Sequence, residues 1–288
     1  MSSTSVTSSA AGRVLVIGID GTRLDVLRAS ATPALDTIAE AGFLAPVLID
    51  DATPTWSGPC WATIATGVPA TRHGIYGNDF TGHRLADHPD FLTVAAAAGL
   101  RSYLSVGSWA PLATTADGGP LFAAPSRLTY STFGHDCERG DAAAVADAVR
   151  VLADEDVHVA FVYLGDPDET AHELGVDADY VAAVERADTR VDLLLAALRS
   201  RPMYEAERWT VIAVTDHGHV DEGGHGGDSD VERTAWIAAA GPGIAAGAEV
   251  GGLRHVDVAA QVYSVLGLEA QAAALGVEGR VFGAVAAV

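Results

Sequence analysis

Lysine is absent from the 288-residue chain: all seventeen basic residues are arginines, set against 38 acidic ones, for a formal net charge of −21. That excludes a Schiff-base lysine and a Walker-type lysine reaching a phosphate. The acidic balance also argues against a nucleic-acid polymer as partner, because the phosphate backbone would be repelled. It leaves room for a small anionic substrate where bound cations reverse the field locally. Cysteine is nearly absent too, with only Cys60 and Cys137 and no C-x-x-C pair, so neither a disulfide framework nor a thiolate-rich metal centre is expected. No apolar run is long enough to span a membrane, so no membrane partner is expected; the longest, Val14 to Ile19 and Val157 to Leu164, have the length of buried strands. The opening MSSTSVTSSAAG has neither a charged nor an apolar block. It reads as a disordered tail over residues 1–12 rather than a signal peptide, and the chain as cytoplasmic.

What is present is apolar bulk. Nearly half the residues are hydrophobic, enough for one sizeable domain over 13–288. A continuous β-branched run at Arg13–Ile19 marks a buried parallel strand, Val157–Leu164 and Trp209–Thr215 read as further buried strands, and Ala235–Ala240 looks like another strand. Helical patterns fall at Leu24–Leu27, Pro33–Glu40, Pro59–Thr66, Phe91–Ala98, Asp141–Leu152, Tyr180–Leu198 and Val256–Leu266. Arg101–Val106 reads as a strand. Residues 109–139, rich in Gly, Pro, Ser and Thr, read as a loop-rich insertion or lid. Strands alternating with helices imply an α/β fold, a three-layer α/β/α sandwich around a mainly parallel sheet.

Three of the apolar strands end in acidic residues or histidine: Asp20 after the first, Asp166 and Asp168 after the second, Asp216-His217 after the third. Ligands of open α/β sheets bind at the carboxyl ends of the strands, so these residues are expected to share one crevice. One such aspartate is commonly a helix cap; three, with histidines, point to a metal centre. Asp168 and His172 stand four apart and share a face if a helix begins there. His225 sits in GGHGG, where glycines free the backbone to bring the imidazole inward. Carboxylate with neutral imidazole suits zinc, or manganese. His219 is the competing candidate for the last ligand. His83, His88, His135, His158 and His255 read as bland, and His73 as structural.

In this order the motifs resemble the alkaline phosphatase superfamily, and in particular its type I phosphodiesterase/nucleotide pyrophosphatase branch. Asp20-Gly21-Thr22-Arg23 is similar to the family's D-G-x-R, Pro167 to His172 to its P-D-x-x-x-H, Asp216-His217-Gly218 to its D-H-G, and His225-Gly226 to its late H-G. The resemblance places the nucleophile at Ser57, two residues before Pro59 and ten before Gly67, and a phosphate-binding amide at Asn78, 21 residues on. Thr55 is the alternative nucleophile. The implied centre holds two divalent metal ions. Asp20, Asp216, His217 and Ser57 surround one, and Asp168, His172 and His225 hold the other. Asn78 and a backbone N–H near Ser57 would bind a non-bridging oxygen. The implied reaction is hydrolysis of a phosphodiester or pyrophosphate bond in a small molecule, a nucleotide among the candidates, through a phosphoseryl-type intermediate. The alternatives are a phosphomonoesterase, for which Arg23 or Arg72 would supply the extra cation, and a metal-binding homologue that has lost catalysis.

Two departures bear on substrate. The sulfatase branch needs C/S-x-P-x-R, whereas here Ser57-x-Pro59-x-Trp61 lacks the arginine and Cys60 is out of register. The short interval from His217 to His225 resembles the phosphoethanolamine-transferase-like branch more than the larger diesterases, and so compact a chain is expected to lack large caps.

Overall fold

The structure is a computed structural model that describes residues 12–114 and 119–282. The stretch 1–12 therefore lies, apart from Gly12, outside the described residues. Seven strands form one sheet: β1 (Arg13–Ile19), β2 (Phe43–Leu48), β3 (Ser102–Val106), β4 (Arg127–Tyr130), β5 (Val159–Leu164), β6 (Trp209–Val214) and β7 (Thr234–Ala240). Their order across the sheet is β2-β7-β6-β1-β5-β3-β4. The ladders β6–β1–β5–β3–β4 are parallel, while β7 runs antiparallel to both β6 and β2. The sheet is thus mixed, with helices on both faces.

The pleat sorts the core. Along β1, Val14 and Val16 face a cluster holding Trp61, Phe161 and the helices Ser57–Thr66, Phe91–Ala97 and Val256–Leu266. Leu15, Ile17 and Ile19 face the other cluster, with Leu35, Val191 and Leu194 from helices Pro33–Ala41 and Ala178–Arg199. Period-two alternation with both faces apolar is why these strands read as unbroken hydrophobic runs.

Two strands escape the pattern. β2 carries Pro46 and alternates between buried and exposed positions. It is an edge strand, where a missing N–H is tolerated. β4 lies inside the Gly- and Pro-rich stretch 109–139 and forms the opposite edge, with none of its four residues buried. Part of that stretch therefore belongs to the sheet, and a short 3₁₀ turn, Ala110–Leu112, precedes it.

The site follows from the strand order. β1 lies between β6 and β5, so residues just past three neighbouring carboxyl ends meet although almost 200 positions separate the first from the last.

Candidate metal centre

Asp20 follows β1 directly and is buried. Its Oδ2 accepts hydrogen bonds from Trp61 Nε1 (2.9 Å) and the Tyr163 hydroxyl (2.5 Å), while its buried Oδ1 has no donor. Trp61 reaches Asp20 because β1 has glycine at position 18, where a Cβ would stand 2.6 Å from the indole. Asp216 mirrors this: Oδ1 accepts from the Gly21 N–H at 3.1 Å, and buried Oδ2 has no donor. His217 Nε2 lies 3.2 Å from Asp216 Oδ2 and 3.6 Å from Asp20 Oδ1. Its Nδ1 meets the Gly218 carbonyl at 3.2 Å, which places the N–H there and leaves Nε2 as a lone pair facing the two orphaned oxygens.

Ser57 opens the Ser57–Thr66 helix, whose ten residues are all buried. Its Oγ is 3.3 Å from His217 Nε2. Asn78 is the chain's only asparagine; its Oδ1 accepts from the Gly58 N–H at 2.7 Å. That pins the amide beside Ser57 and leaves Nδ2 as the remaining donor. The Gly58 N–H is thereby spent on Asn78, and Pro59 has none.

The second group grows from the end of β5. The helix Asp166–Leu174 starts there, so Asp168 and His172 share a face with Nε2 to Oδ2 at 3.6 Å. Asp166 takes no part; it is held by Arg186 at 2.9 Å and Arg190 at 3.1 Å. His225 Nε2 is 3.0 Å from His172 Nε2 and 3.8 Å from Asp168 Oδ1, and its Nδ1 meets the Thr55 carbonyl at 2.7 Å. The Thr55 hydroxyl donates to the Gly227 carbonyl and accepts from the Gly226 N–H. This alternative nucleophile is therefore tied to the loop that presents His225. His219 also enters the group, with Nε2 2.9 Å from Asp168 Oδ1. Among the described residues, the ligand atoms of Asp20/Asp216/His217, of Asp168/His172/His225 and of Asp168/His217/His219 each lie within 4.8 Å of one another.

The electrostatics fit cations. Burial, reinforced by Asp168, pushes Asp20 up to about 7, and burial pushes Asp168 up to about 7 as well. Burial, with Asp20 and Asp168 nearby, raises Asp216 well above the usual carboxylate range. Burial also holds His217 far below the usual imidazole value and lowers His225 to about 4. Three carboxylates pressed together, two with orphaned oxygens, and neutral imidazoles turned inward form a donor set for divalent metal.

Several other residues prove structural. His73 is enclosed between Thr63 Oγ1 and the Ile75 N–H, and His255 meets the Thr215 carbonyl. His135 is exposed and lies 3.4 Å from Glu169. Arg23 is engaged by Asp25 and Asp221, and Arg72 by the Gly276 carbonyl and Glu278.

The family model for type I phosphodiesterase / nucleotide pyrophosphatase matches residues 14–268. The chain belongs to that family. Ectonucleotide pyrophosphatase/phosphodiesterase family member 7 of Rattus norvegicus is 25% identical over 226 residues, which are 72% of this chain and 49% of that protein. The chain spans about half the length of the relatives of this kind that it matches. Murine ectonucleotide pyrophosphatase/phosphodiesterase 5 superposes with a TM-score of 0.68 at 16% identity, covering 89% of this chain and 95% of that one. An inactive form of that murine protein was solved in complex with AMP. A 2-O GAG sulfatase superposes with the same score and identity, over 89% of this chain and 71% of its own. At these identities the structural likeness establishes the alkaline phosphatase-like fold. Among the described residues no helix is long and apolar enough to cross a membrane.

Proposed function

We propose that the chain hydrolyses a phosphodiester or pyrophosphate bond in a small phosphorylated molecule, with Ser57 as nucleophile and two divalent cations, zinc or manganese, in the crevice. The observation that carries this reading is the convergence on Ser57. Its Oγ lies 3.3 Å from a His217 nitrogen that itself faces Asp20 Oδ1 and Asp216 Oδ2, two buried oxygens without a donor. Asp20, Asp216, His217 and Ser57 would hold one cation and Asp168, His172 and His225 the other, and the pair would supply Lewis-acid stabilisation for an in-line displacement. Ser57 Oγ bonds to phosphorus as the bond to the leaving oxygen breaks, and water then cleaves the phosphoseryl ester. Asn78, anchored through its carbonyl, offers Nδ2 to a non-bridging oxygen.

The ester class follows from charge. A monoester carries one more negative charge than a diester, and sites that select it usually meet that charge with arginine. Here Arg23 and Arg72 are already paired, Trp61 holds Asp20 where a sulfatase-type motif has its arginine, and Asn78 is neutral. A nucleotide ligand agrees with the AMP complex of the murine neighbour. The test is kcat/KM for bis-p-nitrophenyl phosphate against p-nitrophenyl phosphate at saturating zinc or manganese. The diester is expected to be preferred. A monoester advantage of about a hundredfold, roughly 2.7 kcal/mol of transition-state stabilisation, would promote the phosphomonoesterase, and metal uptake without turnover of either ester would leave a silent homologue.

A further inference from the structure

Two carboxylates of the centre, Asp20 and Asp216, each have one oxygen capped by a donor from the chain. Asp20 Oδ2 is capped by Trp61 and Tyr163, and Asp216 Oδ1 by the Gly21 N–H. The oxygens left over, Asp20 Oδ1 and Asp216 Oδ2, are the orphaned pair. Asp168 follows the same rule if its cap is His219: Oδ1 meets His219 Nε2 at 2.9 Å, with His225 Nε2 farther off at 3.8 Å, while Oδ2 turns to His172 at 3.6 Å.

We propose that His219 is a positioning residue that holds Asp168 by one oxygen and thereby presents the other to the metal shared with His172 and His225. This rests on the two-metal reading of the site. His219 differs from His217 and His225 in what its Nε2 meets. All three Nδ1 atoms face a carbonyl, but the carboxylate oxygen nearest His217 Nε2, Asp216 Oδ2 at 3.2 Å, is left without a hydrogen bond, and the one nearest His225 Nε2 is 3.8 Å away. His219 Nε2 has a carboxylate oxygen at hydrogen-bond distance, shorter than the 3.2 Å from its Nδ1 to the Gly223 carbonyl. The charged acceptor makes the stronger bond and sets the donor.

The surroundings are built for this pair. His219 is fully buried, and the Arg23 guanidinium, paired with Asp221, reaches its carbonyl at 3.4 Å. The pair packs over Gly21, which has φ +62°; a Cβ there would stand 2.5 Å from His219 Nε2 and 2.7 Å from Asp168 Oδ1. The D-G opening of the motif therefore leaves room for the cap as well as for the turn after β1.

The test uses the full chain loaded with zinc, comparing wild type with His219→Ala and His219→Gln. Metal stoichiometry, zinc affinity by chelator competition, and the number of imidazoles per zinc by X-ray absorption are read, with circular dichroism to verify folding. The expected wild type holds two zinc ions and three imidazoles, from His172, His217 and His225. His219→Ala should loosen one ion about 10–100-fold and leave the other unchanged, as loss of an outer-shell partner does. Glutamine, which can place an N–H near the position of Nε2, should restore most of that loss. Four imidazoles in the wild type would make His219 a ligand and overturn the proposal. So would wild-type affinity in the alanine variant, or a folded glutamine variant as weak as alanine. A wild type that takes up fewer than two ions would overturn the two-metal reading itself, and this inference with it.

Discussion

Replacing Trp61 by Phe separates the two roles that the buried indole combines. The ring is packed edge-on against Phe161 and Tyr163, with centroids 5.7 Å away in each case, and its N–H donates to Asp20 Oδ2 at 2.9 Å. Phenylalanine keeps most of the packing. The lost volume, roughly 40 Å³, costs about 1 kcal/mol at about 24 cal/mol per Å³ of residual cavity. The lost hydrogen bond to a carboxylate adds about 1.5–3 kcal/mol. Tyr163 remains on Oδ2, so Asp20 keeps one of its two caps and the metal it serves should bind about 10-fold more weakly, the lower end of outer-shell effects. Trp209→Phe is the control: that indole also donates to a carboxylate, Glu207, at 3.0 Å, on β6 at the end away from the centre. Both variants should lose comparable stability in urea titrations, and only Trp61→Phe should lose zinc affinity and kcat. If Trp61→Phe keeps wild-type affinity and turnover while losing stability, Trp61 is core packing alone and the account of how Asp20 is oriented is wrong.

Two further expectations concern the chemistry. Ser57→Ala should retain its fold and at least one equivalent of metal but lose most turnover, whereas Thr55→Val should weaken the loop at His225 without removing the nucleophile; near wild-type kcat in Ser57→Ala, measured alongside metal content, would sink the assignment. Zinc affinity should rise with pH between about 6 and 8. Burial raises Asp20 and Asp168 to about 7, so in the metal-free protein each binds its proton more tightly folded than unfolded. The stability they contribute is complete below the unfolded carboxylate value and is lost as pH rises through 7, while metal must displace those protons. His225, held at about 4, has no proton to release in that window. Calorimetry in buffers of different ionisation enthalpy should register proton release, and a pH-independent affinity would contradict the assignment of the carboxylates.

The central strands were legible because each is buried on both faces and so carries an uninterrupted β-branched run, and their carboxyl ends carry the Asp and His residues that topology rules send to one crevice. β2 and β4 were not legible. An edge strand needs neither a continuous apolar run nor every N–H, so Pro46 and the polar setting of Arg127–Tyr130 concealed them. At the site, the strand ends offered the aspartate and histidine candidates, and the resemblance to the family's motifs offered Ser57 and Asn78.

Distances along the chain say nothing about which oxygen of a carboxylate is free, and that was decided by the fold alone. Placing β1 between β5 and β6 brought Asp168, Asp20 and Asp216 side by side. A glycine at position 18 admitted Trp61 to Asp20, a contact between residues 41 apart that no periodicity encodes. His219 and His225 are equally imidazoles in a glycine-rich loop. Only the packing of that loop over Gly21 and Thr55 gives one a carboxylate oxygen at 2.9 Å and leaves the other facing His172. Residue chemistry and order determined which groups were available; hydrogen bonding across the sheet's carboxyl edge determined the direction in which each one points.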